Sequence, residues 1–261
     1  MKTPKSVTAD IVAPSDYRET FHQRGKNIAA RALTVAEIHT LQADFAAAAF
    51  RAQNAGLDGV ELHGAHGYLI SQFFSPLVNK RLDEYGGSIA NRARFAVEII
   101  ASIRAQTGND FIVGCRMGSN EPDLEGGIAI ARELEKAGAD LLHVSSGMDT
   151  PDAKELEISD DFSAYAPNYN WIVYGGTQVK KNVQLPVIVV NNIKTPEQAN
   201  YLIENKLTDF TAIGRGLLVD PEWANKAAEN EAITACLGCK PCTRFKSVES
   251  CPRFSIVKYD I

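Results

Sequence analysis

No run of about 18 apolar residues occurs in the chain, so nothing in it reads as a membrane-crossing helix. Basic residues do not prevail either. The 27 Lys and Arg stand against 32 Asp and Glu for a net charge of −5, which argues against a nucleic-acid or anionic-membrane partner, since either favours a basic face. Met1-Lys2-Thr3-Pro4-Lys5 lacks the apolar core of a signal peptide, and the expected compartment is the cytosol. Cysteine is sparse over most of the length. Cys115 stands alone and the other four of the five fall between 236 and 251, which excludes a disulfide framework spread along a small secreted chain. What is present is the balance of a globular protein, with 261 residues, 45% hydrophobic and 23% charged, enough for one large domain or two small ones.

Residues 1 to 33 carry Pro4, Pro14 and scattered charges without a sustained period and read as an irregular lead-in. Thr34-Val35-Ala36-Glu37 has capping-box spacing, so a helix starts at Val35. Its apolar stripe is Ile38, Leu41, Phe45, Ala48, Ala49 and Ala52, and Gly56 stops it. Asp58 to Leu62 is a short strand, and Ser71 to Gly87 reads as a long polar loop. Ser88 caps a helix that buries Phe95, Ile99, Ile100 and Ile103. Strands follow at 111–117, 140–145, 185–190 and 209–213. They alternate with helices at 126–137 and 196–205, a weaker helix at 171–181 interrupted by Gly175-Gly176, and a short one near 221–230. Asp149 to Asn170 reads as an inserted loop over one face. Five strand-then-helix units of this kind predict a parallel sheet covered by helices.

Chemistry is expected just past the first of these strands. His63, His66 and Tyr68 lie in a Gly-rich turn at its carboxyl end, where α/β folds place reactive groups. Two imidazoles and a phenol there can converge on one small substrate; alternatively the histidines satisfy strand-end carbonyls or bind a metal, and Tyr68 packs. Arg116 ends the next strand, Asn191-Asn192 follows the strand at 185–190, and Gly214-Arg215-Gly216 closes the last.

In order, His63-Gly64-Ala65-His66-Gly67-Tyr68-Leu69, Ser75-Pro76, Asn79-x-Arg81-x-Asp83-x-Tyr85-Gly86-Gly87-Ser88, Asn91-Arg92 and Gly214-Arg215-Gly216-Leu217-Leu218-x-Asp220-Pro221 resemble the flavin oxidoreductases of the Old Yellow Enzyme family. The resemblance spans roughly Ala13 to Pro221. It implies a partial TIM (β/α)8 barrel in residues 1–230, its five strands corresponding to the family's fourth to eighth, with a Cys-rich tail in 231–261. A full barrel takes ~250 residues. The family's first three strands have no counterpart in this reading, so the chain is expected to be either an enzyme or a non-catalytic barrel fragment that another chain completes; a homo-oligomer is the other partner expectation.

The resemblance further implies FMN as cofactor, NAD(P)H as reductant and an enone or enoyl compound as substrate. By it, hydride reaches the β-carbon of the alkene while His63 and His66 hydrogen-bond the carbonyl oxygen and Tyr68 protonates the α-carbon. Negative charge grows on that oxygen as hydride arrives, so preorganised donors lower the barrier. Phenols, with pKa about 10, keep their proton at neutral pH. Arg116 matches an arginine that approaches the flavin ring, or it simply caps a strand. Gly214 and Arg215 match a phosphate-binding turn. Asn192 stands where a second glycine is common; asparagine tolerates the left-handed conformation, though its side chain crowds the phosphate position.

The tail holds Cys236, Cys239 and Cys242 in C-x2-C-x2-C spacing, with Cys251 beyond. That spacing suits a 4Fe-4S cluster and resembles the motif of the dienoyl-CoA reductase and trimethylamine dehydrogenase branch of the same family, with a shorter gap to the last cysteine. A four-cysteine zinc site or free thiols fit the same residues. Cys115, inside a strand, reads as a small buried hydrophobe.

Overall fold

The computed structural model describes residues 10–21, 26–148, 150, 152–166 and 168–253. Five strands, β4 (Gly59–Gly64), β5 (Ile112–Gly118), β6 (Leu141–Ser145), β7 (Val187–Val190) and β8 (Phe210–Ala212), form one parallel sheet in sequence order. Between them lie α2 (Leu69–Phe74) and α3 (Ile89–Thr107), α4 (Leu124–Lys136), α5 (Asp160–Tyr165) and α6 (Trp171–Lys180), and α7 (Pro196–Glu204). Helix α1 (Val35–Asn54) precedes the sheet, and α8 (Arg215–Val219) and α9 (Trp223–Ala228) follow it. Consecutive parallel pairing with helical crossovers is that of a TIM-barrel segment, as the sequence leads one to expect.

Strand alternation sorts the side chains into two sets. Leu62, Val113, Cys115, Leu142, Val144, Val187 and Val189 are buried in the main core with Phe95, Ile99, Ile130 and Leu134 from α3 and α4. The other face carries Glu61, His63, Arg116 and His143. Pairing in register places His63, Arg116, His143, Ile188 and Phe210 in one row across all five strands. The face is open toward its β8 end, where Phe210 is 55% exposed.

The caps form as read: Thr34 and Glu37 close a capping box at α1, and Ser88 Oγ accepts from the Asn91 amide at α3. Some readings need correction. The lead-in is not irregular where it is described, because β1 (Val12–Ala13), β2 (Tyr17–Phe21) and β3 (Lys26–Ala32) make a small sheet in the order β1-β3-β2. β2 and β3 pair as a local antiparallel hairpin, whereas β1 joins β3 at a distance, Val12 opposite Arg31, and the side chain of Arg81 secures that edge by donating to the carbonyls of Pro14 (2.7 Å) and Leu33 (2.6 Å), contacts that no local period announces. The loop after the His/Tyr turn opens with α2, which buries Phe73 and Phe74 completely. The insertion after β6 likewise contains α5, whose Phe162 packs with Ala166 and Tyr174 in a satellite cluster. Of the expected α1 stripe, Ile38 and Ala49 are buried and Leu41, Phe45 and Ala52 pack against the core; Ala48 instead faces solvent, and Gln42 and Ala46 are buried in addition. Gln42 belongs inside because its amide donates to Glu98 at 2.6 Å.

Candidate active site

The site begins where β4 ends. A Cβ on Gly64 would lie 2.9 Å from the Phe74 ring, so only glycine lets α2 fold back over this point. His66 and Gly67 follow with φ of 58° and 71°, a left-handed pair that reverses the chain. The reversal is held from β6: the His66 amide donates to the Ser146 carbonyl at 3.1 Å, and its ring Nε2 lies 2.8 Å from Ser145 Oγ. Three rings consequently gather, with centroids 5.2 Å apart for His63 and His66 and 4.8 Å apart for His63 and Tyr68. Tyr68 remains 61% exposed.

Both imidazoles are neutral at pH 7. Desolvation first, then the Arg116 cation, holds His63 below its ordinary 6.5, and the same causes push His66 down to about 4. Each neutral ring carries one N–H donor and one acceptor nitrogen.

Beside His66 lies a cavity of about 360 Å³, within the size range of small-molecule sites. Its wall includes Arg116, Ser145, Asn192, Lys194, Gly214 and Arg215. Among the described residues no carboxylate lines it, against three cations, and Arg116 Nε is buried there with no hydrogen-bond partner. Asn191 and Asn192 adopt φ of 107° and 56°, so the left-handed turn forms with asparagine in place of glycine. Asn191 is further fixed by the Asn170 side-chain amide at 3.0 Å. A phosphate-bearing aromatic ligand fits this donor set: two guanidiniums, an ammonium and the backbone of the Gly214 turn face it, and one guanidinium nitrogen lacks any other partner.

The NADH:flavin oxidoreductase / NADH oxidase family model matches residues 2–233. The chain belongs to this family. It is 44% identical over 216 residues to the NADH oxidase of Thermoanaerobacter brockii, covering 80% of this chain and 32% of that protein. It is 35% identical over 242 residues to the multifunctional alkene reductase/demethylase OYE of Caballeronia cordobensis, covering 91% and 35%. A solved 2-naphthoyl-CoA reductase complex superimposes with a TM-score of 0.73 at 26% identity, covering 89% of this chain and 34% of that one. The chain thus spans about a third of the length of these relatives.

Of the residues singled out from the sequence in this flavin oxidoreductase family member, His66, Arg116, Asn192, Gly214 and Arg215 share the cavity wall, His63 packs against His66, and Tyr68 packs against His63. The tail is brought to the same place, with Cys236, Gly238 and Phe245 closing one side. Cys236, Cys239, Cys242 and Cys251 are half-buried free thiols, and among the described residues no three His, Cys, Asp or Glu side chains stand together as a metal site. As placed, they make no donor set for a cluster or zinc. Cys115 is fully buried and desolvation pushes its thiol up to about 12, which makes it inert packing. Lys194 went unread in the sequence. Its position two residues after the Asn191-Asn192 turn was the available signal, since a cation there faces whatever that turn holds.

Proposed function

We propose that this chain carries the reducing site of an FMN-dependent NAD(P)H oxidoreductase of ene-reductase type, acting on an alkene activated by a carbonyl. The observation that carries the reading is a cation-lined cavity sharing His66 with a His/Tyr cluster at one rim of the sheet. The relatives named as NADH oxidase and alkene reductase support it. FMN reduced by NAD(P)H would supply the hydride when bound; Arg215, Lys194 and the Gly214 turn would hold its phosphate, and Arg116 would face its ring.

The protein's own part is to hold the substrate and supply a proton. Neutral His63 and His66 each offer an N–H to the carbonyl oxygen, where charge develops during hydride arrival. Ser145 fixes the His66 ring, so that its donor needs no reorganisation at the moment of reaction. Because both imidazoles are neutral, they are poor proton sources, and Tyr68 is assigned as the acid that delivers a proton to the α-carbon.

Stopped-flow absorbance of the two half-reactions tests this assignment. Tyr68→Phe is expected to slow alkene reduction by ~10²- to 10⁴-fold while flavin reduction by nicotinamide continues at its original rate. Unchanged alkene reduction in Tyr68→Phe would refute Tyr68 as the acid.

A further inference from the structure

The turn after β5 holds a carboxyl that the proposed chemistry does not use. Glu121 is completely buried, and its Oε1 accepts from Ser71 Oγ at 2.9 Å while Oε2 has no hydrogen-bond partner among the described residues. Ser71 sits in the first turn of α2, three residues past Tyr68, which is the N-cap of that helix. The same oxygen, Oε1, faces Gly147, where an added Cβ would also come within 2.6 Å of Glu121 Cδ. Gly147 is held in place by donating its amide to the Asn120 side chain at 2.8 Å, and it directly follows Ser145 and Ser146, the two residues that grip His66.

We propose that Glu121 is the positioning residue of the His66–Tyr68 turn, one buried carboxyl against which both the β6 end that orients His66 and the helix start that orients Tyr68 are set. Two contacts of opposite origin meet on a single group, so a displacement of that group moves the imidazole and the phenol relative to each other. Nothing else described links α2 to the 145–148 segment through a buried charged-type side chain, and a Cβ at residue 147 would have to displace the Glu121 carboxyl.

The carboxyl works here as a neutral acid. Desolvation raises it to about 8; Ser71, Ser75, the Met148 amide and the Arg92 cation on α3 oppose the shift by favouring the ionised form. Asp123, in the same turn, is the other acidic group near Arg92. A proton on the unpartnered Oε2 removes the cost of a buried charge. Above pH 8 the charge returns, and the packing around Gly147 and Ser71 must adjust.

The proposal deepens the ene-reductase reading, but its first test does not depend on activity. NMR of histidine- and tyrosine-labelled chain between pH 6 and 10 is expected to report a step near pH 8 in the His66 and Tyr68 signals. Glu121→Gln, which keeps size and a neutral polar end, should hold both signals at their low-pH positions throughout. Glu121→Ala should displace both at every pH, and Ser71→Ala should displace Tyr68 more than His66, which keeps the proposal testable if Glu121→Ala does not fold. A folded Glu121→Ala whose His66 and Tyr68 signals match the wild type, or a step that persists in Glu121→Gln, would overturn it. Where alkene reduction is measurable, Glu121→Ala should lower kcat on the order of ten- to a hundredfold, a cost typical of a misplaced catalytic group, with Glu121→Gln restoring it at pH 7. Spectral changes without any alkene reduction would uphold the positioning role and count against the functional reading alone.

Discussion

At the scale of single residues, burial and the Arg116 cation keep both imidazoles of the candidate site uncharged at neutral pH. His66 titrates at about 4 in the folded chain against an ordinary 6.5, so between those values the unfolded chain takes up a proton that the folded one refuses. The contribution of His66 to stability is therefore complete above pH 6.5 and is lost as pH falls toward 4. Denaturant midpoints measured at pH 4.5 and 7.5 should differ less in His66→Ala than in the wild type, and an equal difference would show that this ring is not the source. The identities of His63, His66 and Tyr68 were legible in the sequence because their spacing is local. Their states were not: the lowered pKa of His66 follows from burial and from Arg116, 50 positions away, and the grip of Ser145 crosses from another strand.

At the scale of elements, periodicity gave the long helices and the strand order, and failed where two elements approach closely. Gly175-Gly176 reads from sequence as an interruption of α6, yet α6 runs unbroken through both. Gly176 faces β7, where an added Cβ would sit 2.5 Å from Val189 Cγ1, and Gly175 faces β5's end, where it would sit 2.6 Å from Ser119 Cβ. The glycines trade helix propensity for contact between helix and sheet. Gly176→Ala should consequently destabilise the fold by about 1–3 kcal/mol through overpacking, measured by urea unfolding, although alanine is the better helix former. Stabilisation by that substitution would contradict the close packing. The short α2 and α5 were illegible for a related reason: each is only a turn or two long and owes its place to Phe73, Phe74 and Phe162 fitting a core assembled from distant segments.

At the scale of the whole molecule, five parallel strands bring the ends of β4, β5, β6, β7 and β8 to one rim, and residues 150 positions apart in sequence meet there around one cavity. Order along the chain made this rim predictable, since every polar turn follows a strand. The small sheet of β1, β2 and β3 was not predictable, as its strands pair across a stretch without alternation. How the tail lies was not legible either. Its cysteine spacing suggests ligation, whereas its described position suggests a wall for the cavity, with Gly238 at φ 72° set above Lys194.

The central claim is that this rim binds FMN through its cations, and equilibrium titration of FMN fluorescence with the purified chain tests it most directly. Wild type should bind, Arg215→Ala should bind at least tenfold more weakly through loss of a charge-assisted contact to the phosphate, and riboflavin, which lacks the phosphate, should respond little to the same substitution. Absence of FMN binding by the wild-type chain, or equal loss for FMN and riboflavin in Arg215→Ala, would contradict the account.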